Sequence, residues 1–66
     1  MVDTIDLVKI KVLAKWLCNI IDEITYNKEL SNQDIIEMLI NVKSTIDEID
    51  KLIMIVIREN TTSQKS

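Results

Sequence analysis

Between Ile35 and Val56 the apolar residues Ile35, Leu39, Val42, Ile46, Ile49, Ile53 and Val56 follow one another in alternating steps of four and three. An α-helix turns about 100° per residue, so this spacing lays all of them along one narrow stripe, a seam of coiled-coil type. A β-strand would scatter the same residues over both of its faces, because its side chains alternate with a period of two. The second half of the chain is therefore expected to be one helix whose apolar edge needs a partner.

The first half supplies a broader stripe. Leu7, Ile10, Leu13, Ala14, Leu17, Ile20, Ile21 and Ile24 span about 140° of a helical wheel, wide enough to touch two neighbours at once. The seam-forming set is expected to be Leu7, Ile10, Ala14, Leu17, Ile21 and Ile24 on this helix and Ile35, Leu39, Val42, Ile46, Ile49, Ile53 and Val56 on the next. Glycine and proline are both absent, which removes the residues that shape tight strand hairpins and leaves an all-α reading.

One break interrupts the pattern, at Asn27-Lys28-Glu29-Leu30-Ser31-Asn32. Ser31 has the position of an N-cap, with Asp34 three residues on and a Leu30/Ile35 pair spaced as a hydrophobic staple. Asp3 is the expected cap of the first helix, and Asn27 is the residue expected to take a left-handed conformation where glycine is lacking. These signals predict helix one over about 4–27, a loop over 28–31 and helix two over about 32–59, within one hairpin domain of residues 1–60. Residues 61–66 (Thr-Thr-Ser-Gln-Lys-Ser) carry no apolar side chain and are expected to be a disordered tail. The short loop makes the helices antiparallel.

A chain of 66 residues has too small a core to be comfortable alone and needs a staple. Cys18 is the single cysteine and histidine is absent, so neither an internal disulfide nor a thiol-imidazole zinc site can be built. Self-association remains, and the expected state is a homodimer in which two hairpins form a four-helix bundle. A second apolar set, Ile5, Val8, Val12 and Trp16 with Leu52, Met54 and Ile55, lies off the main stripes toward the open end of the hairpin. It is the candidate surface for a protein partner, with thickening of the dimer interface as the plainer alternative.

No catalytic residues, cofactor or metal ligands are expected. General acid-base and nucleophilic chemistry needs polar groups converging in a dry pocket, whereas Asp22, Glu23, Glu37, Asp47 and Glu48 fall off the stripes. Asp6 and Asp50 lie at the edges of the seams. Cys18 borders the first stripe and is expected to be a small buried hydrophobe, and Asp47 is placed to pair with Lys51 four residues on.

In length and two-helix layout the chain resembles the Rop-type RNA-binding modulators of plasmid copy number, with no shared sequence motif; that resemblance implies an RNA-binding dimer. The charge opposes it. The net charge is −3, and the basic stripe of Lys11 and Lys15 with Lys9 beside it is short. The longest apolar run, Leu52 to Ile57, is six residues, against about 20 for a membrane-spanning helix. Lys9, Lys11 and Lys15 interrupt the apolar stretches behind an acidic N-terminus, so no targeting segment and a cytoplasmic location are expected. Thirteen isoleucines among many Asn, Lys and Asp suggest an AT-rich coding sequence such as phages, viruses and plasmids carry. The function expected is that of a small non-enzymatic interaction or regulatory protein; an RNA-binding regulator and a structural assembly subunit are the alternatives.

Overall fold

The computed structural model describes residues 4–65, with side-chain surroundings through Thr61. Two helices, α1 (Thr4–Tyr26) and α2 (Asn32–Lys65), are joined by residues 27–31 and pack against each other as a hairpin. No strand occurs among the described residues. The expected cap at Asp3 and the last residue, Ser66, lie outside the described residues. α2 extends six residues beyond the end expected at 59; no glycine or proline is present there to stop it.

The hairpin is a rod of 55 × 16 × 13 Å with a radius of gyration of 15.8 Å. A compact globule of the same length would have about 11 Å. At 1.5 Å per residue α1 is about 35 Å long and α2 about 51 Å, so α2 runs on past the first described turn of α1.

The loop is held by side chains in place of glycine. Ser31 Oγ accepts from the Asp34 amide at 3.1 Å, and the Ser31 amide donates to Asp34 Oδ2 at 3.2 Å. This reciprocal pair satisfies two amides at the start of α2, with aspartate in the place a glutamate usually holds. Leu30 and Ile35, the staple pair, are both half-buried. At the end of α1 the expectation for Asn27 is corrected: no non-glycine residue has positive φ among the described residues. The Asn27 side chain turns the chain instead, accepting from the Glu29 amide at 3.0 Å and donating to Glu23 Oε1 at 2.7 Å. A side-chain-closed turn avoids the steric cost that a Cβ brings to the left-handed region.

The inter-helix seam is visible in the burial pattern. From α1 the half-buried residues are Asp6, Ile10, Leu13, Leu17, Ile20 and Ile24; from α2 they are Ile35, Met38, Thr45, Ile49, Leu52, Val56 and Asn60, together with Val42. Val42, 8% exposed, is the one buried apolar residue among the described residues. From Asp6 to Ile24 and from Ile35 to Val56 the steps alternate between three and four, the heptad geometry of two helices meshing side chains along a common line; Asn60 follows one turn later. At the open end of the hairpin the line finishes on polar side chains, Asp6 of α1 and Asn60 of α2.

Candidate self-association surface

Three rows organise each helix. A shared row (Ile10, Leu17 and Ile24 on α1; Ile35, Val42, Ile49 and Val56 on α2) lies in the seam. An inner row (Asp6, Leu13 and Ile20; Met38, Thr45 and Leu52) completes the seam on one side. An outer row (Leu7, Ala14 and Ile21; Leu39, Ile46 and Ile53) flanks it on the other and is exposed throughout. The seam set expected from sequence is thus the shared row plus the outer row. The hairpin pairs the shared row with the inner row and leaves the large members of the outer row between 40% and 50% exposed.

The outer rows of the two helices lie on the same side of the hairpin. Each sits at the same rotational offset from its seam, and reversing the direction of one helix brings equal offsets to one face of the plane holding both axes. The spacing of the shared row sets the levels, so that Leu7 stands beside Ile53, Ala14 beside Ile46 and Ile21 beside Leu39. These make three apolar layers about 10.5 Å apart, closed off by Asn60 at one end and Lys28 with Asn32 at the other. On α2 the face is widened by Ile36 and Ile57, both exposed.

The opposite face is mixed. Lys9, Trp16 and Glu23 of α1 stand beside Asp34, Asn41, Glu48 and Ile55 of α2 by the same geometry. Trp16 is 45% exposed, and Ile5, Val8 and Val12 are exposed around the back of α1. Of the remaining candidate partner residues, Met54 and Ile55 are exposed on α2, whereas Leu52 is half-buried in the seam and does not stand with them. Trp16 lies near the middle of α1, and the other members of the set lie nearer the open end.

Two further expectations are corrected. Cys18 is exposed, because it lies beyond the outer row, where α2 does not reach. Asp47 pairs backward with Lys43, at 3.5 Å and with both side chains largely exposed; either lysine is one turn away, and the choice is worth only a few tenths of a kcal/mol.

An open concavity of about 400 Å³ is lined by Asn19, Asp22, Glu23, Tyr26 and Asn27. Within it Glu23 already holds Asn27. No group of three or more His, Cys, Asp or Glu among the described residues could hold a metal ion, and no described helix is long and apolar enough to cross a membrane.

The chain is thus an all-α two-helix hairpin whose most distinctive surface is an uncovered apolar face. Comparison with protein-family models, with curated proteins and with solved structures finds no match.

Proposed function

We propose that the protein is a small non-enzymatic interaction protein whose working unit is a homodimer, two hairpins packed through their outer rows into a four-helix bundle. The observation that carries this reading is the convergence of Leu7, Ala14, Ile21, Leu39, Ile46 and Ile53 on one face while a single described residue, Val42, is buried. The chain exposes 5506 Å², against about 4,300 Å² for a typical folded monomer of this mass. The surplus, about 1,200 Å² per chain, is on the scale that obligate dimer interfaces remove from water.

Dimerisation on this face leaves Trp16, Val12 and Ile5 outside the bundle. That flank is where the dimer would engage a protein partner, with tryptophan as the anchor. The test of the working unit is the solution mass by light scattering at two concentrations about a hundredfold apart. Twice the chain mass at the higher concentration, with dissociation on dilution or a persistent dimer, supports the reading; a monomer at both overturns it.

A further inference from the structure

Beyond its outer row, α2 carries a rim row of Ile36, Lys43, Asp50 and Ile57, all exposed. Interleaved with Leu39, Ile46 and Ile53, it forms a second run of alternating threes and fours, so α2 has two seams, and only the first faces α1. The second is self-complementary on reversal. Laid antiparallel on a copy of itself about a centre at Ile46–Asp47, it sets Ile36 on Ile57, Leu39 on Ile53 and Lys43 on Asp50, each contact occurring twice by symmetry.

We infer that the second copy packs with α2 against α2 and α1 against α1, so that the loops of the two hairpins lie at opposite ends of the bundle. This rests on the dimer proposed above and specifies its arrangement. The competing arrangement has loops at one end and α1 against the partner's α2. It would set Asp50 against Lys11 and leave Lys43 against Cys18. The contacts made by Ile36 and Ile57 decide between them. In the same register the competing arrangement sets Ile57 on Thr4 and Ile36 on Thr25. An antiparallel α2 sets these two isoleucines on each other, apolar against apolar. Asp50 has no ion-pair partner within the chain among the described residues; the α2–α2 arrangement supplies Lys43, as the competing one supplies Lys11. Lys43 can serve it while keeping Asp47, since an ammonium has three donors.

The test uses the full chain. Lys43→Glu sets a second carboxylate against Asp50 of the other copy at two symmetric points and is expected to weaken dimerisation about five- to tenfold at low salt. Asp50→Lys is expected to do the same, and the double exchange restores the native affinity. Helix content by circular dichroism controls for the new like-charge neighbour at Asp47. In the same-end arrangement Lys43→Glu leaves affinity unchanged and the double exchange rescues nothing; that outcome overturns the inference. A second measurement places one spin label per chain in the loop, in Cys18→Ser with Lys28→Cys. A label separation beyond about 35 Å is expected for opposite ends, given helices of this length. A separation below about 25 Å would overturn the arrangement and leave the dimer standing. A monomer mass for the unlabelled native chain would overturn the dimer itself.

Discussion

Replacing Ile46 by lysine places a charge at the centre of the proposed interface without touching the inter-helix seam. In the single hairpin Ile46 keeps 50% of its surface exposed, roughly 90 Å², worth about 2 kcal/mol if fully buried at about 25 cal/mol per Å². Two-fold symmetry presents the residue twice, so Ile46→Lys removes about 4.5 kcal/mol from association, before any cost of desolvating the ammonium. That corresponds to a dimer dissociation constant raised about a thousandfold. Lysine is a slightly better helix former than isoleucine, so the hairpin itself gains no local reason to unravel. Sedimentation equilibrium over a hundredfold range of concentration reads the change, and Ser44→Lys, exposed on the far side of α2, serves as the control that should leave the mass unaltered. If Ile46→Lys shifts the constant by less than about tenfold, the outer rows are not the contact surface and the four-helix proposal is refuted.

Val42→Ala strips the one buried apolar residue among those described and is expected to destabilise the chain by about 2 kcal/mol, seen as a lower thermal midpoint by circular dichroism. Ser31→Ala removes the acceptor of the Asp34 amide and should cost about 1 kcal/mol, whereas Ser31→Gly should cost only a few tenths; denaturant midpoints compare the two. Trp16→Ala should leave the solution mass unchanged, and native tryptophan emission should not shift with concentration, because Trp16 lies on the face opposite the outer rows.

The hairpin, its loop and its cap are legible in the sequence because they rest on local signals: the polar break, Ser31 with Asp34, and the step pattern. The rotation of α2 is not. Starting from Ile35, both Leu39 and Met38 lead to Val42 in about two turns, and the choice between Leu39-Ile46-Ile53 and Met38-Thr45-Leu52 turns the helix by about 50°. A reading by hydrophobicity selects the isoleucine row, since Thr45 weakens the other. The structure turns the weaker row inward and keeps the stronger one outside. A helix with apolar residues on both flanks of its seam does not encode which flank meets the nearer partner; the loop and the opposing rows of α1 do. The candidate site was therefore present in the sequence as a list of residues, but its division between an inner contact and an outer face was not. Asn27 differs for another reason: its side chain can close the turn in two ways, and only the observed hydrogen bonds to Glu29 and Glu23 distinguish them.

A rod with a single buried side chain among its described residues has little interior of its own, and this ties its persistence to its abundance. Stability gained only on association grows with concentration by mass action. Under the proposed assembly, dilution acts on this protein as a denaturant: a newly made chain at low dosage would show its isoleucine rows to proteases, and the same chain at higher dosage would be sheltered by its own copies. Its melting temperature would then climb with the logarithm of protein concentration, where that of a self-contained globule stays flat.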